Sequence, residues 1–177
     1  MFDRWETNRL VVSDATLEEA DVLQVLCEKS DYLRMWEGNE PIEPDHIKKT
    51  ILEGDLPPNG VKENFRIQTF RVKSTNELVG YMTYYFGYPT EEIVWINFLF
   101  VDSDYQGTGF SKEVMTAFNE LLRSTHISKI RLLVKLKNWP AMRFWTGLGY
   151  DKIISYYGDK VLSDETYAGL VIEKEVK

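Results

Sequence analysis

Hydrophobic and polar positions change period several times along the chain, and the changes outline its elements. Leu10-Val11-Val12 is a short apolar run that predicts a strand, followed by Ser13 and Asp14 as capping residues. From Thr16 onward Ala20, Leu23, Leu26 and Cys27 recur at spacings of three and four, the period of a helix, with Thr16 and Glu19 at capping-box spacing. Gly38, Pro41 and Pro44 interrupt the chain before a second, shorter helix expected around residues 45–53, which Pro57, Pro58 and Gly60 close. The period then becomes two. Residues 65–72 and 78–86 alternate or are rich in Val, Tyr, Thr and Phe, with Ser74-Thr75-Asn76 as a turn between them. Residues 93–101 form a nearly continuous β-branched and aromatic run, the pattern of a central strand. Val114, Met115, Phe118, Leu121 and Leu122 mark a helix over 111–123, residues 130–136 another strand, and 140–146 a short helix ended by Gly147 and Gly149. Strands near 153–157 and 167–173 complete the chain. The first three long strands suit an antiparallel meander, and 93–136 reads as a β-α-β unit, which predicts one mixed α/β domain over residues 1–177.

Composition narrows the function classes. The chain has 177 residues with 44% hydrophobic and 28% charged, enough for one packed core. No apolar run approaches the roughly 20 residues that span a bilayer, and the first residues lack a basic and apolar leader. A soluble cytoplasmic domain without membrane contact is therefore expected. Cys27 is the single cysteine and reads as core, and His46 and His126 have no ligand partners nearby in sequence, so no metal is expected. The net charge of −7 argues against nucleic acid as a partner. The charge is uneven: residues 1–100 carry 18 acids and 10 bases, residues 101–177 carry 10 and 11. An anionic ligand fits the second half better, a cationic one the first.

The segment that carries chemistry is Val101-Asp102-Ser103-Asp104-Tyr105-Gln106-Gly107-Thr108-Gly109-Phe110-Ser111, at the junction of the central strand and the following helix. Glycines there allow a sharp turn, and the free N–H groups and dipole of the helix start suit a phosphate or pyrophosphate. The segment lacks the G-x-x-x-x-G-K-[ST] string of a Walker loop, and Lys112 stands where a dinucleotide fingerprint needs its third glycine.

Gln106-Gly107-Thr108-Gly109-Phe110-Ser111 resembles the Q/R-x-x-G-x-G/A signature of the GNAT superfamily of N-acetyltransferases. The stretch from Asn138 through Pro140, Ala141, Phe144, Trp145 and Leu148 to Tyr150 resembles the family's N-x-x-A-x-x-F-Y-x-x-L-G-F segment, and Glu6-Thr7-Asn8-Arg9-Leu10 resembles its opening strand. The resemblance implies a mixed, mostly antiparallel sheet of six to seven strands with helices on both faces, splayed between the fourth and fifth strands, where acetyl-CoA wedges as co-substrate. It places the pantetheine arm on main-chain groups of Leu99, Phe100 and Val101, and the pyrophosphate on the amides of Gln106, Gly107, Thr108, Gly109, Phe110 and Ser111. Asn138, Ala141, Phe144 and Trp145 then line the other wall. The implied activity is acetyl transfer to a primary amine, small and cationic or peptidyl, by direct attack in a ternary complex, with a homodimer as a further expectation. Tyr32 and Trp36, amid Asp31, Glu37, Glu40, Glu43 and Asp45, are expected to face the acceptor together with Trp95.

The catalytic groups depart from the family pattern. The Tyr that serves many members as acid is Trp145 here, which cannot release a proton near neutral pH. The base positions fall on Trp95 and Leu133. If the strand alternates regularly, Glu91, Trp95 and Asn97 share a face, so that Asn97 could hold a water and Glu91 accept a proton through it. Tyr81, Tyr84 and Tyr85 stay in reserve. An acyl-CoA-binding domain without catalysis is the alternative these departures leave open.

Overall fold

The computed structural model describes residues 2–38 and 40–176. One sheet of eight strands runs through it in the order β1-β2-β3-β4-β5-β6-β8-β7. The strands are β1 Arg4–Glu6, β2 Leu10–Asp14, β3 Phe65–Val72, β4 Leu78–Phe86, β5 Ile93–Val101, β6 Lys129–Lys135, β7 Lys152–Gly158 and β8 Ala168–Glu175. Every neighbouring pair is antiparallel except β5 and β6. The eighth strand, one more than expected, is β1. It is a three-residue hairpin partner of β2 in which only Trp5 is buried, too short to leave a periodic trace.

Helices cover both faces. They are α1 Ala20–Glu28, α2 Arg34–Glu37, α3 His46–Glu53, α4 Phe110–Leu122 and α5 Trp139–Gly147. On one face Val114, Phe118 and Leu122 of α4 and Trp145 of α5 pack on Val12, Phe70, Met82, Tyr84, Val94 and Ile130. On the other, Leu23 and Cys27 of α1 and Ile47 of α3 pack on Phe65, Ile67, Tyr81 and Phe100. Burial from both sides explains why β4 and β5 read as continuous apolar runs rather than alternating ones. The Thr16–Glu19 capping box forms, on the 3₁₀ turn Leu17–Glu19 that leads into α1. No helix among the described residues is long and apolar enough to cross a membrane.

Two irregularities in β5 position the site. Thr83 of β4 pairs with Phe98 and Tyr84 with Ile96, so Asn97 is an extra residue without a partner on β4. The bulge exchanges the faces of the strand. Val94 and Ile96 lie in the α4 core before it, Leu99 and Val101 after it. The second irregularity is that parallel pairing with β6 runs only from Ile93 and Lys129 to Ile96 and Leu132. Beyond that point β6 stays paired with β8 as far as Lys135 and Gly169 while β5 parts from it. This splay lies between the expected fourth and fifth strands, numbered β5 and β6 because β1 precedes them.

Candidate active site

The parting of β5 and β6 opens a cleft of about 380 Å³. Leu99, Phe100 and Val101 form one wall, and Leu132, Leu133 and Val134 the facing one. Asn138, Ala141, Phe144 and Trp145 of α5 line its far side, as the sequence predicts. Asn138 does more than line it: its Oδ1 accepts from the Ala141 amide at 3.1 Å, capping α5, and its Nδ2 donates to Glu37 Oε1 at 2.8 Å. That bond ties α5 to α2 across the cleft. Trp145 is buried edge-on between Phe144 (4.9 Å) and Tyr150 (5.0 Å), an apolar wall with no proton to give. Burial also pushes the Tyr150 phenol well above its ordinary range.

At one end of the cleft the chain turns through Gly107 (φ +78°) and Gly109 (φ +87°) into α4. The amides of Gly107, Gly109, Phe110, Ser111 and Lys112 donate to no group among the described residues, because the first bond into the helix comes from Glu113. These unpaired donors at the positive helix end make an anion cradle without basic side chains. Residues 106–111 therefore offer main chain more than side chain. Gln106 and Ser111 line the cleft, while Phe110 turns away, under the Arg9 guanidinium at 4.5 Å and beside Tyr105. Gln106 Nε2 donates to Val101 O at 3.1 Å and to Tyr32 Oη at 3.0 Å.

Both ends of the turn are braced by residues the motif does not contain. Asp102, 5% exposed, accepts from the Asp104 amide at 3.2 Å and pairs with Lys29. Burial alone would raise the Asp102 carboxyl, but the hydrogen bonds from Lys29 and the Asp104 amide outweigh it and hold it below the usual carboxylate range. At the other end Glu113 accepts from Thr7 Oγ1 (2.6 Å), Arg9 N (2.7 Å) and Arg9 Nε (2.7 Å), and Arg9 Nη2 donates to Thr108 O at 3.1 Å. The opening segment Glu6-Thr7-Asn8-Arg9-Leu10 thus holds the turn in shape through Thr7 and Arg9.

A second cavity of about 510 Å³ adjoins the cleft and shares Leu33, Glu37, Ile96, Asn97, Phe98 and Leu133 with it. Trp95, Tyr81 and Thr83 line it from the sheet, and Asp31, Glu37, Glu40 and Glu43 from the segment between α1 and α3. Asp45 lies outside it, paired with Lys49 at 3.1 Å. The acidic character is tempered, because Asp31 pairs with Arg34 at 2.8 Å and Glu43 with Lys49 at 2.7 Å.

Three expectations are corrected here. Tyr32 and Trp36, expected to face the acceptor beside Trp95, line the cleft between β5 and β6 and not the second cavity that Trp95 lines. They are four residues apart, edge to face at 5.9 Å, on the side of the α2 segment turned toward Gln106, while Asp31 and Arg34 take the other side. Glu91 lies in the exposed turn ahead of β5 and lines neither cavity. It stands in the turn before β5 begins at Ile93, so the alternation that puts Trp95 and Asn97 on the second cavity does not extend to it. Among the reserve tyrosines only Tyr81 reaches the second cavity. Burial keeps its phenol well above the ordinary value, against service as a base. Tyr84 is buried in the core, and Tyr85 Oη accepts from the Val61 amide at 2.8 Å.

Sequence reasoning misses several polar residues of this cavity, among them Ser30, Thr50, Thr83, Lys135 and Asp55. Asp55, in the loop behind α3, accepts from Asn97 Nδ2 at 2.8 Å. The loop reads only as punctuation, Pro57, Pro58 and Gly60, and nothing in its spacing marks the carboxylate.

A parted parallel strand pair, with unpaired amides at one end and a second cavity meeting it halfway, is the architecture of an acyltransferase. The sequence agrees: the model of the Acetyltransferase (GNAT) family matches residues 30–150, and the chain belongs to that family. Its fold is similar to that of an acetyltransferase from Thermus thermophilus, with 19% identity, TM-score 0.73, and 97% of this chain and 99% of that one covered. It is also similar to the ribosomal-protein-S5-alanine acetyltransferase from Vibrio fischeri, with 14% identity, TM-score 0.72 and coverage of 97% and 96%. A third similar structure is the acetyl transferase from Salmonella typhimurium that modifies the N-terminal serine of the 50S ribosomal protein L7/L12, at 12% identity, TM-score 0.75 and 97% of both chains. No curated protein matches the chain in sequence.

Proposed function

We propose that the protein transfers an acetyl group from acetyl-CoA to a primary amine by direct attack within a ternary complex. The observation that carries this reading is the meeting of the two cavities at Asn97, Phe98 and Leu133, which lets a nucleophile approach from the acceptor side a group held in the cleft. The unpaired amides of Gly107 and residues 109–112 suit the pyrophosphate. The β5 edge at Leu99, Phe100 and Val101, released from β6, suits the amides of the pantetheine arm. When bound, acetyl-CoA supplies an activated thioester. The chain's own residues hold it, shield it with Trp145 and Phe144, and admit the amine.

Trp145 favours a second reading, an acyl-CoA-binding domain without turnover. Transfer is the better account because a thiolate, with a free-thiol pKa around 8.5, departs without a proton donor. The acceptor is a small cationic amine or a peptide N-terminus, and the Salmonella relative's serine substrate places the latter in the panel. Thiol release from acetyl-CoA across polyamines, alkylamines and N-terminal peptides, beside a thermal-shift titration with CoA, tests the reading. Release with one amine class supports it. Stabilisation by CoA without release on any amine moves the weight to the binding domain, and the absence of both responses overturns the cofactor site.

A further inference from the structure

The acceptor cavity contains a polar pair that cofactor binding does not use. Asn97 is the extra residue of the β5 bulge, and its Nδ2 donates to both Oδ2 (2.8 Å) and the main-chain O (3.3 Å) of Asp55. A carboxylate only accepts, so this pairing fixes which way the Asn97 amide is turned. Its Oδ1 is left shielded from solvent and without a hydrogen-bond partner among the described residues. A buried, unanswered acceptor is costly unless a donor arrives. Asp55 is itself exposed, so its carboxylate has access to water. The pair sits where both cavities share Asn97, next to the β5 edge assigned to the pantetheine arm. An alkylammonium has three donors and no acceptor, which complements two oxygens.

We propose, resting on the amine-transfer reading above, that Asp55 and Asn97 receive the ammonium of the acceptor, and that Asp55 takes its first proton. The ammonium N–H bond breaks and the proton passes to an Asp55 oxygen and on to solvent. The freed nitrogen lone pair forms the new N–C bond, and the C–S bond breaks with its electrons to sulfur. The second proton leaving nitrogen goes to that thiolate, which gives amide, thiol and one proton released to water. Asn97 fixes the Asp55 carboxylate and offers Oδ1 to a second N–H of the ammonium.

The test uses the full chain saturated with CoA, titrated with n-butylammonium chloride and followed by NMR, with Asp55→Asn and Asp55→Glu beside the wild type. The wild type binds; Asp55→Asn weakens binding at least about tenfold, the scale of a lost hydrogen bond to a charge, and Asp55→Glu stays within a few-fold. All three respond equally to CoA in thermal shift, which shows an intact fold and cofactor site. At saturating butylamine, the acetyl-CoA-dependent rate of Asp55→Asn falls about a hundredfold. Equal ammonium binding by wild type and Asp55→Asn, or none by the wild type, overturns the receiving site. An unchanged saturated rate overturns the proton transfer. Ammonium binding without acetylation by the wild type defeats the transferase reading instead and leaves the receiving site standing.

Discussion

Replacing Gly107 or Gly109 with Ala separates the anion cradle from the stability of the fold. Both residues have φ near +80°, where an L side chain costs about 1–2 kcal/mol. Space is not the obstacle: a Cβ at Gly107 meets nothing within 4 Å, and one at Gly109 meets only Arg9 Nη2 at 3.6 Å. Each variant therefore folds, with a Tm lowered by roughly 2–8 °C, the range expected for that cost in a chain of this size. To escape the strain the turn rotates its peptides, and the unpaired amides of residues 107 and 109–111 are displaced. Each charge-assisted hydrogen bond forfeited costs about 1.5–3 kcal/mol, so one lost bond weakens CoA binding by about tenfold to a hundredfold. Isothermal titration with CoA and with a pantetheine lacking the nucleotide measures this, and the nucleotide-free ligand loses far less. CoA affinity at the wild-type level in both variants would refute the cradle.

Arg9→Ala removes the brace on exposed Thr108 and on half-buried Glu113, which keeps its bonds from Thr7 and the residue 9 amide, so Tm changes little while CoA affinity falls about two- to tenfold, read by the same titration. Glu173 is fully buried between Arg131 (2.6 Å) and Lys152 (2.8 Å). Burial would raise its carboxyl, but the bonds from Lys152 and Arg131 outweigh that and hold it below the ordinary value. A lowered folded pKa gives stability that is present above the unfolded value near 4.3 and lost as pH falls below it, so Glu173→Gln unfolds roughly 6–12 °C earlier at pH 7 and shows a flatter acid limb in thermal melts. Trp145→Tyr restores a phenol, yet kcat with the preferred amine stays within a few-fold because the thiolate leaves unaided; a hundredfold rise would show that protonation limits turnover.

The cleft and the turn at its end were legible in the sequence because they depend on local requirements. Two glycines at positive φ, a helix start and the Asn138 cap each need particular residue types at short spacing, and those types are visible in any reading. The second cavity depends on geometry that spacing does not encode. The bulge at Asn97 leaves no mark in a nearly continuous apolar run, yet it changes which of the later β5 residues share a face, and Glu91 falls outside the site because the strand begins only at Ile93. Helix α2 is four residues long, closed by Gly38 at φ +69°, too short for a period to show that Tyr32 and Trp36 turn to the cleft rather than, as expected, to the cavity lined by Trp95. Asp55 meets Asn97 from 42 positions away, a contact only the packing of α3 against α1 creates.

The most direct test of the central claim supplies acetyl-CoA carrying an isotope-labelled acetyl group and locates the label by mass spectrometry. The account predicts the label on the nitrogen of a primary amine, formed in step with free CoA and suppressed when Gly109 is replaced. Free CoA appearing with labelled acetate alone, or label retained on CoA with every amine offered, would contradict it.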